Sequence, residues 1–286
     1  REGRSDFQLD LQGLHLDRVV DILEVDVLAE GHADLLLTVQ GLSDDPVVIA
    51  DLEIVEPRYA GIEFSTIKGA LDYRGLEAII NIEGFEGANP VIRAAGSIPF
   101  DLSLEQRDSR SVRRPMNLLI QANSLDAADA LDYFSTLEDV TGSLSGLVRV
   151  LGTTDDPEPD GVIDVESASW SIGALGVRHS DVNGSLTFNP DRRVDINLMT
   201  DATGYSEIDG TITLDSVRDP GLDLVMEFNR FQAVQRLDVE SLISGNLTLE
   251  GRYGRPEIRG SVSGDETILY VDEFARNVSV VDFMDL

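Results

Sequence analysis

The sequence repeats one short pattern three times, at spacings of 111 and 99 residues. In each copy a glycine closes an alternating apolar segment and a proline follows five residues later. These pairs are Gly41–Pro46, Gly152–Pro157 and Gly251–Pro256. Recurrence at a fixed spacing is typical of repeat proteins, in which each copy is one supersecondary unit that buries its apolar side against its neighbours. The chain is therefore predicted to repeat one unit of roughly a hundred residues.

Within each unit apolar residues alternate with polar ones, which indicates β-strands. Successive side chains of a strand point to opposite faces of its sheet, so the alternating apolar residues share one face. The positions predicted for this face are Leu37, Val39, Leu52, Ile54, Leu71, Tyr73, Ile80, Ile82, Ile98, Phe100, Leu118, Ile120, Val148, Val150, Ile163, Val165, Leu186, Phe188, Val194, Ile196, Leu198, Ile212, Leu214, Leu224, Met226, Phe228, Leu247 and Leu249. The opposite face is predicted to be acidic, with Asp51, Asp72 and Asp195 among its residues.

The fold predicted from these patterns is all-β, with one long repetitive sheet and a few short helices. The helix candidates are Leu16–Leu23, Leu125–Phe134 and Phe231–Leu237, which occupy the same place in successive units. Each is too short to be stable alone and is expected to pack over an end or edge of the sheet.

The repeat predicts a single continuous domain over residues 1–286, with no break between independent parts. Its units are expected at 1–41 (partial), 42–152, 153–251 and 252–286 (partial). Because the chain opens on Arg1 within a unit, we expect it to be a fragment of a longer protein.

The charge balance excludes several classes of function. With 22 basic and 53 acidic residues the formal net charge is −31, so no basic stripe is available to neutralise the phosphates of a nucleic acid. The chain has no cysteine, which excludes disulfides, thiolate metal sites and a cysteine nucleophile. No apolar stretch is long enough to span a membrane, and any anchor is expected outside this fragment.

No pattern of catalytic or metal-binding residues stands out. The acid pairs Asp44–Asp45 and Asp155–Asp156 occupy equivalent turns and are interpreted as turn residues. Calcium binding there is the alternative, but the remaining oxygen ligands of an organised loop are missing. His15, His32 and His179 have no ligand partner at a local spacing. The sequence therefore predicts no enzyme activity, no cofactor and no metal.

The repeated pattern resembles a known family. Units that end in G-x-L-x-L-x-G, continue through a short turn with proline and resume as G-x-V/I-x-V are similar to AsmA-like proteins, and among them to the TamB translocation and assembly module. The final stretch, GSVSGDETILYVDEFARNVSVVDFMDL, also resembles the C-terminal regions of TamB-type proteins.

The resemblance implies a fold and a function. The sheet would be elongated and strongly curved into a U-shaped trough, the β-taco, with an apolar concave face. The full-length protein would be tethered to the inner membrane of a diderm bacterium by an N-terminal helix and would span the periplasm. Its groove would hold phospholipid acyl chains during passage to the outer membrane. An Omp85-type barrel would be its partner, and a link to outer-membrane protein assembly is also implied.

Physical chemistry is compatible with this function and leaves alternatives open. Small residues at inward positions, such as Ala78, Ala122 and Gly264, and an aromatic content of 6% favour an open groove over a filled core. A structural or adhesive β-repeat protein with a dry packed core is the alternative. An enzyme on a β-helix is less favoured, because coils of that fold are several times shorter than this unit.

Overall fold

The described part of the chain forms one open, curved, antiparallel sheet with almost no helix, which confirms the predicted fold class. The computed structural model describes residues 3–16, 29–59, 62–104, 110–128, 138–172, 177–202, 204–216, 219–235 and 239–269. The strands are β1 (Arg4–His15), β2 (Ala29–Leu42), β3 (Pro46–Tyr59), β4 (Ile62–Glu63), β5 (Thr66–Arg74), β6 (Glu77–Glu86), β7 (Asn89–Pro99), β8 (Asn117–Asp126), β9 (Glu138–Gly152), β10 (Pro157–Ile172), β11 (Val177–Phe188), β12 (Arg193–Thr200), β13 (Tyr205–Thr213), β14 (Gly221–Gln235), β15 (Val239–Arg252) and β16 (Arg255–Leu269). Their order in the sheet follows the chain, apart from the two-residue β4, which pairs beside β3.

The repeated glycine–proline pairs are cross-strand neighbours at three equivalent hairpins. Each glycine lies opposite its proline in the ladder, joining β2 to β3, β9 to β10 and β15 to β16. The glycines Gly41, Gly152 and Gly251 have φ of 106°, 80° and 109°, a conformation that other residues rarely adopt. The hairpins therefore recur because each turn needs this backbone conformation at its glycine.

A β-bulge interrupts four long strands at equivalent places. The residues in the left-handed conformation are Gly13 in β1, Ser124 in β8, Ser167 in β10 and Arg230 in β14. Each donates its backbone N–H to a side chain of the next strand in the chain; the acceptors are Asp34, Ser145, Asn183 and Ser244, at 2.7–2.9 Å. A bulge leaves one residue outside the ladder and bends its strand. The four bends thus lie towards the C-terminal ends of these strands, and we call this side of the sheet its flank.

These bulges explain where the helix predictions were wrong. Phe231–Gln235 continues strand β14 after the bulge at Arg230, and Leu125–Asp126 ends strand β8 after the bulge at Ser124. The extra residue moves the next inward side chain three positions on instead of two, so the apolar spacing imitates a helical one. Only residues 127–128 and Leu16 carry helical backbone in these regions; residues 17–23, 129–134 and 236–237 lie outside the described ranges.

The sheet buries little of its apolar surface. Among the described residues, buried apolar side chains form small groups around Tyr73, Leu125 and Trp170. The chain exposes 18286 Å² to solvent, whereas a compact monomer of 31.2 kDa exposes roughly 12,000 Å². A single open sheet, with both faces accessible to solvent, contributes to this excess.

Candidate functional site

One face of the sheet is apolar across all of its long strands, and we call it the apolar face. The ladder places inward residues directly opposite each other, as with Leu71 and Ile80, Leu118 and Val150, Ile163 and Leu186, Leu186 and Ile196, Val194 and Ile212, and Met226 and Leu247. Because opposed residues of paired strands share a face, these pairs form apolar rows that run across the strands and are interrupted by glycines.

The residues predicted from the sequence lie on this face or at its margin. Phe100 and Leu214 lie just past the ends of β7 and β13, where their N–H groups donate to the carbonyls of Leu76 and Arg192. Val39, Tyr73, Val148, Val165, Val194 and Ile196 are buried, whereas Ile82 and Phe100 are exposed. The remaining predicted residues are half-buried. Their part in binding a ligand stays a prediction.

The apolar face also includes residues that the sequence-based prediction missed. Phe7, Leu9 and Leu11 of β1 lie opposite Val39, Leu37 and Leu35. Phe7 is 47% exposed, so this end of the face is open to solvent. The signal was available, because the opening segment alternates in the same way as the later strands.

Glycines on the apolar face bring neighbouring strands close together. Gly96, Gly184 and Gly210 have φ of 153°, 154° and 143°. A Cβ at these positions would lie 2.0–2.2 Å from a carbonyl oxygen of the next strand. Because glycine has no side chain, each of these positions leaves a gap in the apolar rows. At each gap the surface of the apolar face lies closer to the backbone.

The opposite face is mainly polar and acidic, as predicted. Its exposed charges form weak cross-strand pairs, including Lys68 with Glu53 at 3.3 Å and Arg93 with Glu83 at 3.5 Å. Two depressions on this face, of about 410 and 210 Å³, are lined by carboxylates, among them those of Asp51 and Asp195. The face is not uniformly polar, because Ile79 lies on it with 57% of its surface exposed.

An aromatic stack lies on the flank beyond the bulges. The ring of His179 lies 5.3 Å from that of Trp170 and 4.9 Å from that of Phe231, stacked against both. Strands β12 and β13 end before this point, so β11 and β14 approach each other directly. Burial lowers the pKa of His179 to about 4 because the charged imidazolium loses its hydration.

The remaining polar candidates serve structural contacts or lie at the surface. Asp155 accepts a hydrogen bond from Ser111 Oγ, and Asp156 pairs with Arg192 at 3.3 Å. His15 and His32, scattered in the sequence, are directly opposite each other on β1 and β2. Within the described ranges, no group of three or more histidines and carboxylates is arranged to hold a metal ion. In the same ranges, no helix has the length and apolar character needed to cross a membrane.

Comparison with known proteins finds one match. The family model described as "TamB C-terminal domain" matches residues 196–284, which include β13, β14, β15 and β16. No curated protein matches the chain, and no solved structure does. The resemblance seen in the repeats is thereby confirmed for this part of the sequence.

Proposed function

We propose that this chain, which carries a TamB C-terminal domain, is part of a periplasmic trough that carries phospholipids between the inner and outer membranes. The acyl chains would lie on the apolar face and the headgroups would remain in water. The family supports a role in translocation and assembly. A membrane tether and an Omp85-type barrel partner would belong to the longer protein.

The observation that carries this proposal is a continuous apolar face that remains half-exposed. Residues of a dry core are shielded on all sides, whereas Leu71, Ile120 and Leu224 are only partly covered. Soluble proteins rarely leave extended apolar patches in water, and such a patch marks a site of interaction. This favours a ligand-binding face over the structural protein with a dry core.

The chemistry of the face suits acyl chains better than a specific ligand. Its rows consist mainly of aliphatic side chains and glycines, with some aromatic rings such as Tyr73 and Phe228 and few hydrogen-bonding groups to recognise a defined partner. Each methylene transferred from water to such a surface contributes about 0.8 kcal/mol. Because the rows repeat from strand to strand, no single position holds a chain much more tightly than the next, which allows sliding.

Photo-crosslinking with matched neighbours tests the proposal. A photoreactive residue is placed at Ile80 or Met226 on the apolar face, and at Ile79 or Val225 on the opposite face. The control positions are exposed, by 57% and 38%, and as apolar as their neighbours. We expect phospholipid adducts, identified by mass spectrometry after crosslinking in cells, from the first pair alone. Adducts from the controls only, or none from any position, would refute the proposal.

A charge on the apolar face gives a second test. The substitution Ile80→Asp places a carboxylate among acyl chains, where an unpaired charge costs several kcal/mol. Phospholipid that copurifies with the chain should fall sharply, whereas Ile79→Asp should leave it unchanged. Equal lipid content in both variants would instead indicate the dry-core alternative or binding elsewhere.

A further inference from the structure

The only two exposed histidines of this chain are brought together by the register of its first hairpin. His15 ends β1 and His32 lies near the start of β2, and the ladder places them directly opposite each other. Both project from the polar face, because the preceding pair in the register, Leu14 and Ala33, belongs to the apolar face. Their ring centroids are 4.5 Å apart and the ring planes are tilted by 56°.

This geometry matches two imidazoles bound to one metal ion. A zinc–nitrogen bond is about 2.0–2.1 Å long, which puts each ring centroid roughly 3.2 Å from the metal. Angles of about 90–109° at the metal then separate the centroids by roughly 4.5–5.2 Å. The observed separation falls at the lower end of this range, and strongly tilted rings suit two ligands approaching one ion.

We propose that His15 and His32 form a two-histidine site for a divalent late transition-metal ion. Imidazole nitrogen suits Cu²⁺, Ni²⁺ and Zn²⁺, and the general order of affinities places Cu²⁺ ahead of Zn²⁺. On its other side His32 lies opposite Val55, whose apolar side chain offers no ligand atom. The site is on the polar face and does not depend on the proposed lipid function.

The surroundings of the pair favour a cation. Asp34 follows His32 by two residues and so shares its face, and its carboxylate accepts the N–H of the bulge residue Gly13 at 2.7 Å. This hydrogen bond fixes the bulge two residues before His15. The net charge of −31 raises the local concentration of cations.

Metal binding is expected to stabilise the pairing of β1 with β2. In the described part of the chain β1 pairs only with β2, so a metal that bridges their side chains opposes fraying of this strand. Since a ligand that binds only the folded hairpin stabilises it, hydrogen exchange of the β1 amides should slow when the metal is added.

Three histidines in the chain permit a direct test by NMR. Cu²⁺ or Zn²⁺ is added alone to the wild-type chain in a large excess of Mg²⁺, which occupies diffuse carboxylate sites. We expect the imidazole signals of His15 and His32 to broaden or shift together at one equivalent of metal, while buried His179 is unaffected. A metal chelator should reverse the change.

Titration calorimetry on His15→Gln and His32→Gln completes the test. Loss of one ligand should weaken binding by at least about tenfold in each variant, and slowed exchange in β1 should disappear. Unchanged affinity in either variant would overturn the proposal. So would a wild-type response that Mg²⁺ abolishes, because that response belongs to the acidic surface in general.

Discussion

At the scale of single residues, His179 makes the stability of the folded chain depend on pH. Its pKa is about 4 in the folded chain because burial removes water from the ring, whereas an unfolded histidine titrates near 6.5. Between these values the unfolded chain binds more protons than the folded one. Protonation therefore favours unfolding as the pH falls from about 6.5 to about 4. The contribution of His179 to the free energy of unfolding is fully present only above this pH range.

We expect urea unfolding to show this window when the wild type is compared with His179→Phe. The wild type should lose on the order of 3 kcal/mol more than the variant between pH 7.5 and pH 4. Carboxylates also titrate near the lower end, but they contribute equally to both proteins and cancel in the difference. Parallel stability curves for the two proteins would contradict the expectation.

Glycines on the apolar face give a second residue-scale prediction. Alanine at Gly184 requires a strained backbone at φ of 154° and places Cβ 2.0 Å from the carbonyl oxygen of Asn197. We expect Gly184→Ala to lower the free energy of unfolding by several kcal/mol. Gly69 lies on the same face without such a backbone, and its Cβ would meet Leu52 at an ordinary 3.7 Å.

Denaturant unfolding of Gly69→Ala therefore serves as the control. It should be close to neutral, because the new methyl group fits the available space and alanine is less flexible than glycine when unfolded. Equal losses in the two variants would mean that the apolar face is too crowded for any added methyl group, whatever the backbone.

At the scale of strands, the bulges decide how the sheet bends. Ser124 adopts φ of 52°, which costs a non-glycine residue free energy, and its N–H is satisfied by Ser145 Oγ at 2.9 Å. We expect Ser124→Gly to stabilise the chain by about 0.5–1 kcal/mol. Ser145→Ala should destabilise it by about 1 kcal/mol, because the bulge N–H then lacks its acceptor.

Equilibrium unfolding measures both changes, and the double variant separates them. If the hydrogen bond holds the bulge, the effect of Ser145→Ala should remain when glycine occupies position 124. Destabilisation by Ser124→Gly would show instead that the side chain of Ser124 contributes more than its backbone costs.

The sequence predicted the strands well and their irregularities poorly, and the reason is physical. Alternation reports which face a residue occupies, so Leu71, Ile80 and Met226 were assigned from pattern alone. A bulge depends on the backbone conformation of one residue. Neither serine at position 167 nor arginine at position 230 indicates a left-handed backbone from its residue type. The His15–His32 pair was missed for a related reason, since it depends on the register of β1 against β2.

At the scale of the whole molecule, charge repulsion opposes folding. The 53 acidic residues outnumber the 22 basic ones, and paired charges such as Lys68 and Glu53 remain exposed to solvent. Salt shortens the range of this repulsion, from about 30 Å at 0.01 M to about 8 Å at 0.15 M. We therefore expect the melting temperature to rise over this range.

Thermal unfolding in NaCl and in KCl provides the measurement. The two salts should act equally, because screening depends on ionic strength alone. A melting temperature that falls with salt would indicate that attractive ion pairs outweigh the repulsion, and a difference between the salts would point to binding of a specific ion.

The strand order has a mechanical consequence. Because the long strands pair with their neighbours along the chain, no late strand among those described has to return to an early one. Contacts of short sequence separation form quickly, so each hairpin can join the growing edge of the sheet while the rest of the chain is still unfolded. When the two ends of the chain are pulled apart, we expect the sheet to unfold one hairpin at a time. The curve of force against extension should then show a sawtooth pattern.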